Sequence, residues 1–457
     1  MKPFLLALLS ASVMAAWPNL VAAQESHWKA GAAKVVITPE KHLWMSGYGG
    51  RTKPAEERET ELWAKALVLE DAKGKKAALV TLDLVGIDRE LSQEVCRRIE
   101  KKYGLPREAI ILACSHTHCG PVVGDNLRAM YFLDAAQEQL VGEYTAQLKD
   151  KIAHVVGLAL QKLAPASLSR GIGNAGFAVN RRNNKEKDVP QLIETGALKG
   201  PVDHDVPVLA VRDAAGKLIA VTFGYACHAT VMDYYKWSGD YPGFAQLELE
   251  NTHPGVIALF WAGCGADQNP LPRRKVELAK DYGKQLADGV ERVLKTEMKS
   301  IAPAWTGVYS EIALPFHEIP DREKLVKDSM SANKFEASRA KLLLKQLESK
   351  GSLRGDYPYP IQVWRLGDDL TWVTLGGEVV VDYALRLKKE LSPGNTWVMG
   401  YANDVMAYIP SLRVLKEGGY EGGGAMVYYG LPSIWGTHVE ELIVENVHEL
   451  AKAVRAK

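Results

Sequence analysis

Two histidines separated by one residue are the first feature of this chain that could do chemistry. They lie in segment 113–121, ACSHTHCGP, directly after the apolar run 110–112. A short apolar run before Gly-Pro is typical of a strand that runs into a loop. Because alternate side chains of a strand share a face, we predict that His116 and His118 point the same way, with Cys114 beside them. Two such imidazoles can bind Zn²⁺, although one buried and one surface histidine would give the same pattern.

A third histidine follows a second apolar run. His228 comes directly after FGYAC at 223–227, and the turn Ser-Gly-Asp at 238–240 follows soon after. Asp240 could orient an imidazole in the surroundings of a metal, or it could serve as a turn or N-cap residue. Taken alone, a histidine in the position of His228 is more often a hydrogen-bonded core residue than a metal ligand.

Further polar residues stand in loops after strand-like runs. The glycine-rich loop 262–270, AGCGADQNP, offers Asp267 and Gln268, and glycines allow a backbone to approach a ligand closely. Glu378 follows Gly-Gly at a predicted helix start, where the charged form of a carboxylate is favoured. It could act as a metal ligand, as a general base or as a helix cap. Tyr408 could ligate a metal or hold an oxyanion, and Arg181 could grip a substrate carbonyl, hydroxyl or carboxylate.

The elements that must position these residues alternate between strands and helices. Strand-like runs include 64–69, 77–83, 206–211 and 218–226, and the turns at 71–75 and 213–217 predict two hairpins. Helical patterns cover about 136–161, 274–296, 321–349, 379–391 and 438–455. Strands, hairpins and helices in this order predict an α/β fold in which mixed β-sheets are sandwiched with helices.

Composition places the chain among ordinary globular proteins. It has 457 residues, 47% hydrophobic and 24% charged, and a net charge of +1, which gives no indication of a nucleic-acid or anionic membrane partner. Residues 1–23 read as a cleaved signal peptide, which predicts a secreted or periplasmic protein formed by one domain over 24–457. No later segment is long and apolar enough to predict a transmembrane helix in the mature chain. The five cysteines are too few for a disulfide scaffold.

Together these segments resemble the neutral/alkaline ceramidase family, specifically its zinc-dependent N-terminal catalytic domain, over about 27–455. The resemblance rests on the order of the motifs: His-Thr-His with Gly-Pro, Asn-Arg at 180–181, the strand ending in His228, Ser-Gly-Asp, Gly-Glu at 377–378, and Tyr408 followed by YEGG at 420–423.

The resemblance implies a ligand set and a mechanism. It implies zinc ligation by His116, His228, Glu378 and Tyr408, with His118 contacting the substrate and Arg181 gripping it. A zinc ion with an open position suits amide or ester cleavage, because it lowers the pKa of bound water and polarises a carbonyl. Tyr408 would also help to steady the oxyanion.

The chain departs from the family pattern in two places. Ceramidases have a catalytic serine in a Gly-Asp-Val-Ser-Pro-Asn loop, where this chain has Gln268, and they carry a C-terminal β-sandwich domain that we do not expect here. We therefore predict that zinc-activated water attacks directly, with Glu378, His118 or Asp267 acting as general base or acid. Cys264 is a less favoured nucleophile.

The sequence thus predicts an exported zinc hydrolase that cleaves an N-acyl amide, as in ceramide, or an ester of a lipid or small-molecule substrate. One alternative is a zinc hydrolase of a polar substrate such as a glycan or an acylated sugar. A second is a non-catalytic zinc-containing binding protein. A third is a closed structural zinc site made by Cys114, His116, His118 and Cys119.

Overall fold

The structure, a computed structural model, describes residues 27–368 and 370–456. The predicted signal peptide, residues 1–23, lies outside the described residues. The strands are β1 (Trp28–Val36), β2 (Glu57–Arg58), β3 (Trp63–Glu70), β4 (Lys76–Leu82), β5 (Ile110–Cys114), β6 (Ala164–Asn174), β7 (Ala178–Asn180), β8 (Asp205–Asp213), β9 (Leu218–Tyr225), β10 (Lys236–Trp237), β11 (Ile257–Ala262), β12 (Gln268–Pro270), β13 (Lys299–Ile301), β14 (Trp305–Pro315), β15 (Asp356–Leu366), β16 (Leu370–Leu375), β17 (Glu378–Val379), β18 (Thr396–Met399) and β19 (Tyr408–Ile409). The α-helices are α1 (Arg89–Tyr103), α2 (Ala135–Gln161), α3 (Val189–Glu194), α4 (Asp240–Thr252), α5 (Val276–Leu294), α6 (Arg322–Asp328), α7 (Lys334–Lys350), α8 (Val381–Leu391), α9 (Leu412–Glu417), α10 (Met426–Tyr429) and α11 (Val439–Ala456).

Two mixed sheets form the centre of the fold. The larger sheet has the order β11-β9-β8-β6-β1-β3-β4-β5, with β13 on β6, and the smaller one has the order β14-β15-β16-β18. Both predicted hairpins are present, since β3 pairs antiparallel with β4 and β8 with β9. The pairs β4–β5, β9–β11 and β16–β18 are parallel. Parallel strands bring their carboxyl ends to one edge, which is where ligand sites commonly form.

Alternating side chains divide the protein into layers. In β11, Phe260 packs with one core cluster and Trp261 with another, because successive side chains of a strand face opposite sides of the sheet. The cluster around Trp261 also contains Trp364, Trp372 and Trp397 of the smaller sheet, so the two sheets pack face to face. The outer faces are covered by helices, with α1, α2, α4 and α5 on the larger sheet and α8 and α11 on the smaller one. The predicted sandwich of mixed sheets and helices is confirmed.

The helix predicted over 321–349 is two helices, so that prediction was wrong. Asp321 caps α6 and Asn333 caps α7, because each side chain accepts a hydrogen bond from a backbone N–H of the helix that follows it. Such local side-chain bonds compete with helix continuation and favour a break. Among the described residues, no helix combines the length and the apolar character that crossing a bilayer requires.

Candidate metal centre

The candidate site lies where strand ends of the two sheets meet. His116 and His228 follow β5 and β9 of the larger sheet, whereas Glu378 follows β16 of the smaller sheet. Glu378 and Tyr408 are register partners in the short parallel pair β17–β19. Two isolated β-bridges, Ala113 with Ala402 and Gly263 with Met399, join these strand ends across the boundary between the two sheets, which we call the seam. The site therefore draws its side chains from both halves of the sandwich.

The two metal-binding histidines predicted from the sequence converge, but by a different route from the one expected. Strand β5 ends at Cys114, and His116 adopts a left-handed backbone with φ of 60°, so strand alternation does not orient its side chain. Instead, His116 Nδ1 lies 2.6 Å from the Val85 carbonyl and His228 Nδ1 lies 2.8 Å from the Gly265 carbonyl. Because a carbonyl only accepts, each Nδ1 carries the proton, which leaves both Nε2 atoms free to bind a cation.

His118 belongs to the same cluster. Its Nε2 lies 3.1 Å from His116 Nε2, and its Nδ1 is buried without a hydrogen-bond partner. The ring packs against Tyr48, with centroids 4.7 Å apart. Burial, followed by the neighbouring His116 and His228, lowers the pKa of His118 well below its usual range. The ring nitrogens of the three histidines approach within 4.8 Å of one another, so His118 is a further possible ligand.

Glu378 and Tyr408 complete the predicted ligand set. Glu378 Oε2 lies 3.1 Å from both His116 Nε2 and His228 Nε2, and Tyr408 Oη lies 3.2 Å from His228 Nε2. Burial alone would raise the pKa of Glu378, but the two histidines lower it well below its usual range. Tyr429, which the sequence analysis did not identify, donates its hydroxyl to Glu378 Oε1.

The donor atoms fit a four-coordinate cation. At the Zn–N and Zn–O distances of about 2.0–2.1 Å, tetrahedral ligands lie about 3.3–3.4 Å apart. The two histidine–Glu378 spacings are 3.1 Å and the His228–Tyr408 spacing is 3.2 Å. Two imidazole nitrogens and a carboxylate oxygen, all buried, repel one another at this distance unless protons or a cation lie between them. Nitrogen and oxygen donors of this kind suit Zn²⁺.

Arg181 is held at the edge of the cluster. Its guanidinium donates to Tyr408 Oη at 3.1 Å, to Asn269 Oδ1 at 3.2 Å and to Glu421 Oε1 at 2.7 Å. Glu421 also binds Arg182, at 2.6 Å. The carboxylate thus fixes the Arg181 fork beside Tyr408, which is where the sequence predicts a substrate-gripping arginine.

Asp267 and Gln268 are bonded to the scaffold. Asp267 accepts from the Val381 backbone N–H at 2.9 Å and from Asn180 Nδ2 at 3.2 Å, and burial raises its pKa to about 6. The Gln268 amide donates to the Ala226 carbonyl at 2.6 Å and accepts from a backbone N–H at 3.0 Å. Their neighbour Asn269, by contrast, lines the cavity over the cluster.

The cysteines and Asp240 do not belong to the candidate ligand set. All five cysteines are free and buried; Cys114 and Cys119 belong to the hydrophobic core of the larger sheet, which argues against the closed Cys–His zinc site. Burial raises the pKa of Cys264, so its thiolate is disfavoured. Asp240 accepts from the backbone N–H groups of Val231 and Met232, and therefore holds the chain after His228 rather than an imidazole.

A cavity of about 630 Å³ opens over the cluster. His118, His228, Tyr408 and Arg181 contribute to its floor, and Tyr420 forms part of its wall. Lys185, Arg273 and Arg274 stand along the same lining. The cavity is large enough for a small-molecule ligand or for the head of a larger one.

Two sheets sandwiched between helices, with a His–His–Glu–Tyr cluster on the seam, define an α/β protein with a candidate metal centre. Residues 28–261, just over half of the chain, match the model of the neutral/alkaline non-lysosomal ceramidase N-terminal domain. The chain belongs to this hydrolase family, as the order of its motifs predicts.

Known proteins resemble the chain in sequence and in fold. The neutral ceramidases of Drosophila melanogaster and Drosophila pseudoobscura pseudoobscura are each 24% identical over 254 residues, which are 52% of this chain and 35% of theirs. The chain thus matches about a third of the length of these relatives. The crystal structure of neutral ceramidase from Pseudomonas aeruginosa superposes with a TM-score of 0.72 at 20% identity, over 94% of this chain and 75% of that one. A ceramidase complexed with C2 also gives 0.72, at 18% identity, over 94% and 76%. The structural likenesses show the fold.

Proposed function

We propose that this protein is an exported zinc-dependent hydrolase that cleaves an N-acyl amide of a ceramide-like lipid, or an ester, with water as the nucleophile. The observation that carries the proposal is that Glu378 Oε2 lies 3.1 Å from both histidine Nε2 atoms, with Tyr408 Oη 3.2 Å from that of His228, beneath a cavity. Family membership supports the bond type, and the signal-peptide pattern at 1–23 supports export.

His116, His228, Glu378 and Tyr408 would hold the metal. A zinc ion bound there supplies Lewis acidity, which activates water and polarises the scissile carbonyl. The Val85 and Gly265 carbonyls fix the tautomers of the two histidines, and Tyr429 fixes the carboxylate. Groups behind the ligands in this way orient them and set their basicity.

Arg181 and His118 would act on the substrate. The guanidinium, anchored by Glu421, faces the cavity beside Tyr408 and can stabilise negative charge on the carbonyl oxygen. His118 lines the same cavity beside His116, so its ring can contact the substrate. Asp267 and Gln268 would position the loop that carries Asn269, since their side chains are bonded to backbone groups behind the site.

A hydrolysis screen with metal analysis tests the proposal. The mature protein is assayed on an N-acyl sphingosine, polar amides and acyl sugars, with and without chelator. We expect chelator-sensitive amide cleavage, and we expect His116→Ala to lose both metal and activity. His154→Ala, which changes an exposed histidine on α2, is the matched control. Full zinc occupancy in His116→Ala would refute the ligand set, and zinc binding without turnover of any substrate would favour a binding protein.

The charged lining of the cavity favours a second candidate, a zinc hydrolase of a polar substrate such as a glycan or an acylated sugar. Lys185 is exposed on the rim. Arg274 approaches Tyr48 Oη at 3.3 Å, and Arg273 forms a paired bridge to Glu186. Such groups recognise hydroxyl and anionic groups better than hydrocarbon. Cleavage of only acyl sugars in the screen would establish this candidate over the lipid one.

A further inference from the structure

A second groove, of about 660 Å³, lies between the segment after β5 and helix α7. Two large apolar side chains on it are open to solvent: Met330 is 75% exposed and Phe132 is 47% exposed. Exposed apolar side chains that share one groove can mark a surface that contacts another molecule. Glu138, an acidic residue on the groove, is bound by Arg128.

One face of α7 makes this groove basic. Lys334, Lys341 and Lys345 all line it, and their spacing places them within roughly 40° of one another around the helix. The Lys334 ammonium lies over both the Phe132 and Phe335 rings, at 5.0 and 4.9 Å. Exposed apolar side chains beside a row of lysines are typical of surfaces that lie on lipid. The net charge of +1 conceals this local clustering.

A row of aromatic rings connects this surface with the candidate metal centre. Tyr408 contacts Tyr420 with ring centroids 5.2 Å apart, and Tyr420 contacts Tyr428 at 6.1 Å. Tyr428 contacts Phe335 at 4.9 Å, and Phe335 contacts Phe132 at 5.8 Å. The groove and the cavity are therefore neighbours joined by apolar contacts.

We propose that Phe132, Met330, Lys334, Lys341 and Lys345 form a docking face for a lipid bilayer that carries anionic headgroups. The two apolar side chains enter the interface, while the lysines bind the headgroups. Tyr420, on the wall of the cavity, is linked to Phe132 through the Tyr428 and Phe335 rings, so docking here would bring the cavity near the bilayer. Binding at this face does not depend on catalysis, although its use in substrate supply rests on the proposed lipid hydrolase.

Co-sedimentation with vesicles tests the docking face. The full mature chain is mixed with vesicles of phosphatidylcholine, with and without phosphatidylglycerol. We expect preferential binding to the anionic vesicles, weakened roughly tenfold or more by Lys341→Glu/Lys345→Glu. Phe132→Ser should also weaken it, several-fold. His116→Ala should bind as the parent protein does, so loss of the metal centre is distinguished from loss of docking.

Two matched controls accompany these variants. Lys73→Glu/Lys217→Glu makes the same charge change in the two hairpin turns, at the strand ends away from the site. Ile193→Ser removes an apolar side chain that is 48% exposed, as Phe132 is 47% exposed. Equal loss of binding in the controls would overturn the proposal, as would equal binding to neutral and anionic vesicles. A dimer of the parent protein that dissociates in Phe132→Ser would also overturn the proposal, because this face would then bind a second copy of the chain.

Discussion

Tyr429→Phe should weaken zinc binding without unfolding the protein. The Tyr429 hydroxyl is a donor to Glu378 Oε1, while Oε2 of the same carboxylate faces the two histidines. Glu378 is buried, so the variant leaves one carboxylate oxygen without its donor, at a cost of about 1.5–3 kcal/mol. Because the carboxylate is then no longer held in its ligating orientation, we expect roughly 10- to 100-fold weaker metal binding, the range typical of groups that orient ligands. The retained phenyl ring preserves the packing.

Competition with a chromophoric chelator measures the zinc affinity of this variant, and urea unfolding of the metal-free protein measures its stability. Tyr428→Phe is the control, because it makes the same change one residue earlier, on a ring that contacts Phe335 and Tyr420 instead of the carboxylate. Unchanged zinc affinity in Tyr429→Phe would refute the reasoning. An equal loss in both variants would refute it as well, since the effect would then not come from the bond to Glu378.

Three further predictions concern the substrate clamp, the sheet interface and pH. Glu421→Gln should lower kcat/KM roughly tenfold with zinc content unchanged, because Arg181 loses its charged anchor. Steady-state kinetics with metal analysis measures this effect, and loss of zinc from the variant would contradict the prediction. Trp372→Ala should lower the free energy of unfolding by about 3–5 kcal/mol, measured in urea, because the side chain is buried between the sheets. Burial raises the pKa of Asp83 to about 6 from an ordinary 3.8, so its stabilising contribution is present below pH 3.8 and is lost as pH rises through 6. Asp83→Asn should therefore flatten the decline in unfolding free energy between pH 4 and 7 by at most about 3 kcal/mol, and identical pH profiles would refute this.

Strand ends were the part of the site that the sequence made predictable. Apolar runs before His116 and His228 predict that both residues leave a sheet, and parallel strands bring such ends together. The local geometry was not predictable in this way, because β5 stops at Cys114 and a left-handed residue, held by a loop carbonyl, turns the imidazole inward.

Contacts across distant segments could not be predicted from local patterns. Tyr429 reaches Glu378 only because α10 packs beside the smaller sheet, and no spacing in the sequence signals that contact. The same holds for the docking face: Phe132 and Met330 are far apart in the sequence, and they line one groove only because the start of α7 lies beside the segment that follows β5.

The placement of the candidate ligands on the seam has a consequence for how the protein folds. His116 and His228 follow strands of the larger sheet, whereas Glu378 and Tyr408 stand in the short pair β17–β19, whose strands follow β16 and β18 of the smaller sheet. Neither half can therefore form the complete donor set by itself. Zinc would then bind only after the two sheets have packed together, and the bound ion would slow their separation. At a thousandfold excess over its dissociation constant, zinc would add about 4 kcal/mol to the stability of the docked state. A chelator should therefore accelerate unfolding as well as stop catalysis.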